Sequence, residues 1–390
     1  MKHGNKKTVS SAACGKNQIL SIGEQCCVSC HSSTYFPFCC HPCPIRVNPW
    51  LRLYFSKQRV GDAVFSPLLN RLKSATSLLT GNRTQKQHPH FVVITIDNEA
   101  RRERSPEAPV DRLFWGRYQG REYGIPMIMD MADAFGFPAI FFTDTLTVRS
   151  YGKEPIREVC QEVLRRGHDC ALHSHPELHI PDYQDRFDYY WTDEGVRSWL
   201  GEASDYLAEF TGQPTRAYRA GGYRVSPASF RAMRDIGIEA DFSSLLGHKQ
   251  CMIDASYCNN AVRKYDGVYE VPVSVYHDVK GTPRKLDVNW RTPETFRWHL
   301  QEAMAAGVLC TTIFLHSWSF LKFDATWLEA TEAVGVDEEA IANFQGMLEV
   351  VSETPGTQVV SSLELIDYLK ANPDALNAPD TIPAIRPAAA

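Results

Sequence analysis

Nowhere in this 390-residue chain does an apolar run approach the ~18 residues that a membrane-spanning helix requires. An integral membrane segment is therefore not expected. Excess charge of one sign is missing too: 41 Lys and Arg stand against 46 Asp and Glu, a net charge of -5. The basic residues form no run and alternate with no aromatic platform, so a nucleic-acid partner is not expected either. The basic start MKHGNKK is followed by TVSSAACGKNQ, which lacks the apolar core of about 7 to 15 residues that a secretory signal needs. A cytoplasmic location is the expectation that follows.

A disulfide framework is also absent. Of 12 cysteines, seven (Cys14, Cys26, Cys27, Cys30, Cys39, Cys40 and Cys43) crowd the first 43 residues, and the other five are scattered singly. CVSCH at 27–31 has the spacing of a c-type haem attachment site, and Cys27-x-x-Cys30 with Cys40-x-x-Cys43 has that of a small zinc knuckle. Haem attachment would require export, and nine residues between the cysteine pairs is short for zinc. Residues 1–88 are read as a Cys-rich, poorly ordered N-terminal extension.

What the chain does contain is an ordinary globular composition, 44% hydrophobic and 22% charged, with a change of character at residue 89. FVVITID (91–97) reads as a buried strand. PMIMDMADAFG (126–136) spaces Ile128, Met131, Ala132 and Phe135 as one helix face. AIFFTD (139–144) is a second strand, PIREVCQEVLRRG (155–167) a second helix, and CALHSH (170–175) a third strand. DEGVRSWLGEASDYLAEFTG, SPASFRAMRDIG and TPETFRWHLQEAMAAG continue as helices. YRAGGY, IEADFSS, YEVPVSV, TTIFLHSW and TQVVSS alternate with them as strands. Strands alternating with helices predict α/β architecture around a parallel sheet, open or closed into a barrel. The tail ANPDALNAPDTIPAIRPAAA is Pro/Ala-rich and expected to be disordered over 372–390.

In parallel architectures the chemistry sits at the C-terminal ends of the strands. Those ends carry Asp97, Asn98 and Glu99, then Asp144, then His173, His175, Glu177 and His179, then Arg219, Asp241 and His316. Singly, each has a plain structural account: a strand cap, an ion pair, a hydrogen-bonded core histidine. Packing does not explain all of them at one rim. His173 and His175 share a strand face about 6.6 Å apart along it, and they converge on one ion if the strand end curls inward. Asp97 or Glu99 would complete a three-ligand set with an open water position. The glycines of YRAGGYR allow close approach of backbone or substrate to Arg219. Aromatics of YQDRFDYYW, with Trp115 and Tyr118, are either sugar-stacking or core residues.

The ordered set of motifs resembles the polysaccharide deacetylase family, the chitooligosaccharide deacetylase-like carbohydrate esterases of the family 4 homology domain. TIDNE (95–99) is a loose match to T-F-D-D-G, and AIFFTD is similar to A-T-F-F-V. GHDCALHSHPEL resembles G-H-E-I-G-x-H-T-x-S-H-P-D-L, shortened by two residues between the histidines. YRAGGYR stands at the place of the Arg motif, EVPVS and FLHSW resemble the late strands, and QVVSSLELIDYL resembles the closing strand and helix. The resemblance covers residues 89–371 and implies a distorted (β/α) barrel of about seven or eight parallel strands. It implies Asp97 as general base, His316 as general acid and Arg219 as the residue that orients Asp97.

The resemblance further implies a divalent metal, Zn2+ first, on His173, His175 and a carboxylate. Asn98 replaces the family's usual second aspartate, so Glu99 takes its place, as in a D-x-E branch. The shortened spacing leaves Glu177, His179 and Asn98 as alternate ligands. Tyr223, Trp318 and Asp241 are the candidates for substrate contact. The implied activity is removal of N-acetyl or related acyl groups from amino sugars, with a carbohydrate as partner. Two alternatives stand beside it: a carbohydrate-binding relative weakened by Asn98, and a non-haem iron oxygenase using His175, Glu177 and His316. Oligomeric state is left open.

Overall fold

A computed structural model of the chain describes residues 88–100, 108–257, 259–323 and 332–385. The Cys-rich extension, with both C-x-x-C pairs, lies outside the described residues, apart from His88 at its end.

The central strand is β1, His90–Asn98, whose nine residues are all buried. A strand buried on both faces reads as a near-continuous apolar run, which is what FVVITI is. Its neighbours are β2 (Ile140–Asp144), β3 (Asp169–Ser174), β4 (Ala217–Ala220) and β5 (Ala240–Asp241), each parallel to the one before. An antiparallel pair follows, β6 (Arg263–Tyr265) and β7 (Val268–Glu270), of which β7 runs parallel to β5. β8 (Cys310–His316) lies along the other side of β1 and sets Asp97 opposite His316. β9 (Thr357–Val359) pairs with His90–Val92, whereas β2 pairs with Thr95–Asn98. The upper and lower halves of β1 thus have different neighbours.

Between β7 and β8 an irregular strap closes the ring. Val271 donates its N–H to Asp241 O (2.8 Å) and Val273 to Ser244 O (2.9 Å). Leu286 donates to Ser274 O (3.2 Å) and Phe314 to Leu286 O (3.0 Å). Eight strands run parallel around the ring, so the architecture is a distorted (β/α) barrel, as the family resemblance implied. Its interior is apolar, built from Phe91, Val93, Ile140, Phe142, Ala171, Ala217, Ala240 and Phe242. The alternate residues Val92, Ile94, Ile96, Phe141 and Leu172 face the helical layer.

That layer consists of α1 (Ile125–Asp133), α2 (Lys153–Arg165), α3 (Asp193–Thr211), α4 (Pro227–Asp235), α5 (Pro293–Ala306), α6 (Glu338–Glu353) and α7 (Ser362–Ala371). Ser226 caps α4 ahead of Pro227, with a reciprocal bond from Ser229; Ser361 and Glu364 form the same box on α7. No described helix is long and apolar enough to cross a membrane.

Three expectations are corrected. IEADFSS keeps only Ala240–Asp241 as strand. YEVPVSV breaks at Pro272, which has no N–H for the ladder; its carbonyl instead accepts from the Thr312 hydroxyl (3.1 Å). The tail packs on the barrel over residues 372–385. Pro373–Asn377 forms a 3-10 turn, and His277 and Ile385 hydrogen-bond the strap to the tail (Ile385 N to His277 O, 2.9 Å). Ile382 packs on Leu245, Val273 and Val275, so apolar residues inside the Pro/Ala-rich stretch anchor it.

Candidate metal centre and acid–base pair

Strand alternation places the site. On β1, Thr95, Asp97 and Glu99 follow the parity of Val93 and so point into the barrel mouth, while Asn98 points the other way. Asn98 is fully buried and its amide donates to Thr143 Oγ1 (3.3 Å). The same parity puts His173 above Ala171, Arg219 above Ala217, and His316 above Phe314. Six polar side chains from four strand ends therefore cap one apolar interior.

Glu99, His173 and His175 offer ligand atoms that all lie within 4.8 Å of one another, and all three residues are buried. His173 Nε2 is 3.3 Å from Glu99 Oε2, and His175 Nε2 contacts the same oxygen. Tetrahedral zinc with legs of about 2.0–2.1 Å separates its ligands by about 3.3 Å, so this set has the size of a metal cage. The far sides of both rings are satisfied as in a metal site. His173 Nδ1 donates to Arg219 O (2.7 Å) and His175 Nδ1 to Glu177 Oε1 (2.9 Å). Each ring thus keeps its Nε2 lone pair for an ion. Burial pushes the Glu177 carboxyl up, but His175 and Arg224 outweigh it and hold it down at about 2. A Cβ on Gly221 would lie 2.5 Å from His175 Nδ1, so only glycine permits this ring position.

Beside the cage, Arg219 is fully buried between the rings of Phe142 and Phe314 (4.5 and 5.3 Å). Its guanidinium donates to Asp97 Oδ1 (2.9 Å), Thr95 Oγ1 (3.0 Å) and Phe242 O (3.0 Å). Burial would raise the Asp97 carboxyl. Arg219, with His173 and His316, reverses that and holds it below the usual carboxylate range. Asp97 is therefore an ionised carboxylate in a dry setting. His316 Nε2 lies 3.9 Å from Glu99 Oε1, and its ring stacks on Trp318 at 4.6 Å. Burial lowers His316 to about 4 against the pull of Glu99 and Asp97.

Asp97, Glu99, His173, His175, Arg219 and His316 are thus brought together, and the alternates are not. His179 turns away: its Nε2 lies 3.3 Å from Asp144 Oδ2 and its Nδ1 2.9 Å from Ser150 Oγ. Glu177 sits behind His175, on the side opposite Glu99, so the combination His175, Glu177 and His316 does not assemble as an iron triad. Asp241 is fully buried, accepts from Ser243 Oγ (2.6 Å) and lies against Glu270, away from the cage. Trp318 backs His316. Tyr223, at a left-handed φ of 58°, has its hydroxyl on Lys285 Nζ (2.8 Å).

Lys285 and Asp287 are site residues that sequence patterning missed. Lys285 Nζ bonds Asp287 Oδ2 (2.9 Å) and lies 3.8 Å from the Phe314 ring. Both belong to the strap, where polar and apolar residues alternate over KLDVNW (285–290) and Leu286 and Val288 are buried. That period-two alternation is the signal that could have drawn attention there.

No protein-family model and no curated protein matches the chain. Solved structures similar to it include a protein described as a polysaccharide deacetylase from Mycobacterium smegmatis. That pair shares 18% identity over 79% of this chain and 98% of the other, with a TM-score of 0.47. The Puue allantoinase is similar at 14% identity over 75% and 95%, TM-score 0.46. A family 4 carbohydrate esterase from Streptomyces lividans is similar at 10% identity over 69% and 90%, TM-score 0.36. At such values these likenesses assign no activity. Fold and site define the class: a distorted (β/α)-barrel protein with a His–His–Glu cluster of the kind that holds a divalent metal.

Proposed function

We propose that the protein is a metal-dependent hydrolase that removes N-acetyl or related acyl groups from amino sugars. One observation carries the reading: an ionised carboxylate, Asp97, is clamped by a buried arginine beside a three-donor cage, with an imidazole on the adjacent strand. A purely structural cluster has no need of an acid–base pair flanking a cage.

Glu99, His173 and His175 would hold the ion, and Zn2+ suits two imidazoles and a carboxylate. Such an ion, when bound, lowers the pKa of water and polarises an acyl oxygen. Asp97 accepts the proton of the attacking water, and Arg219 keeps that carboxylate ionised and pointed at the mouth. His316 delivers a proton to the departing amine. Its ring is neutral at rest, so it first takes up a proton from solvent, which negative charge building on the attacked carbon's oxygen favours, and then passes that proton to the amine nitrogen. Trp318 fixes the ring plane by stacking.

The test is acetate release from a panel of N-acetylated oligosaccharides by Zn2+-loaded protein, run beside the Asp97→Asn variant. Release by wild type and not by the variant is expected. Equal release from both, or none from wild type, would overturn the reading. Two histidines and one carboxylate are also a ligand set of non-haem iron; an O2 requirement with bound iron would favour that second reading.

A further inference from the structure

His175 is enclosed by a chain of polar contacts outside the cage. Its Nδ1 meets Glu177 Oε1 at 2.9 Å. Glu177 Oε2 lies 3.6 Å from Arg224 Nη1, and both side chains are less than one-fifth exposed. With its amide oriented to suit its neighbours, Gln250 accepts from Arg224 Nη2 (2.6 Å) and donates to Gly222 O (2.9 Å). Gly222 adjoins Gly221, against whose Cα the His175 ring is seated. The loop that follows β4 therefore holds the ring from one side and, through Gln250 and Arg224, holds Glu177 against its edge.

We propose that Glu177, braced by Arg224, is a positioning carboxylate for the metal cage, a role that rests on the metal-site reading above. A carboxylate at Nδ1 requires the proton on that nitrogen and leaves the lone pair on Nε2, which faces Glu99. It cannot itself be a ligand, because it lies across the imidazole from the cage. It also supplies negative charge through the ring. That matters here because the position next to Asp97 is Asn98, turned away and uncharged, which leaves the cage one carboxylate of its own. Arg224 balances Glu177 at a distance that leaves Oε1 to the histidine.

Zn2+ dissociation constants for wild type, Glu177→Ala, Glu177→Gln and His175→Ala test this, measured by competition with a chromophoric chelator. Unfolding temperatures of the metal-free proteins are read alongside. Glu177→Ala is expected to weaken Zn2+ by about 10- to 100-fold, with the metal-free protein still folded at the temperature of the titration. Glu177→Gln, whose amide oxygen still accepts the N–H, falls between the two. Wild-type affinity in Glu177→Ala together with loss in His175→Ala would overturn the role of Glu177 alone. A metal-free Glu177→Ala protein already unfolded at the temperature of the titration would mark a structural role instead. Wild-type affinity in His175→Ala would overturn the cage itself.

Discussion

Asp97 and Arg219 show how much one pair decides. Removing the guanidinium leaves a buried carboxylate with no counter-charge, so Arg219→Ala should destabilise the fold by about 3–5 kcal/mol, read as a lower midpoint in denaturant unfolding. An unchanged midpoint would mean that the ion pair is not buried in solution. Asp97→Asn keeps the shape and removes the base. Hydrolytic activity should drop by a factor on the order of 100 to 10,000 while Zn2+ content stays at the wild-type level. Gly221→Ala acts differently. Its added methyl would press on the His175 ring at 2.5–2.6 Å, so the expected loss is in Zn2+ affinity, on the order of tenfold or more. The residue identities were legible in the sequence, and so was the need for glycine beside them. Whether Glu177, His179 or Asn98 would take the place of His175 or Glu99 in the cage was not, because spacing along a loop does not say where it folds.

At the scale of elements, β1 to β3 and α1 to α5 were legible because their apolar periods are clean and their caps are ordinary. The short strands β5 and β7 were expected within IEADFSS and YEVPVSV, but neither their extent nor the strap was legible, since few residues carry their pattern and Pro272 interrupts it. Helix α6 carries no assignment from the sequence; Gly346 sits at its middle, where helices rarely want glycine. The structure explains it: a Cβ there would lie 2.4 Å from the Pro293 ring at the start of α5. Gly346→Ala gains up to about 1 kcal/mol of helix propensity yet overpacks a rigid ring, at a cost of about 1–3 kcal/mol. A net loss of stability is expected in chemical denaturation; a gain would show that the two helices separate freely.

For the whole molecule, buried neutral histidines set the acid limit. His90 donates from Nδ1 to Val308 O (2.7 Å) and has Thr311 Oγ1 at Nε2 (3.0 Å). Burial lowers it from 6.5 to about 4, and lowers His299 from 6.5 to about 3. Between those values and 6.5 the unfolded chain binds more protons than the folded one, so stability is full above about pH 6.5 and falls as pH drops toward 4. The unfolding temperature should decline over that window, and less steeply in His299→Leu; an identical slope in the variant would exclude His299 as a cause. By itself the sequence determined the α/β alternation, the rim residues and their chemistry, because periodicity and residue type are local. Only tertiary structure decided that Glu99 faces in and Asn98 out, that Glu177 stands behind His175, and that Lys285 and Asp287 join from the strap. It also decided that the tail docks. Those outcomes depend on strand parity, ring closure and contacts between residues far apart in the chain, which no local pattern encodes.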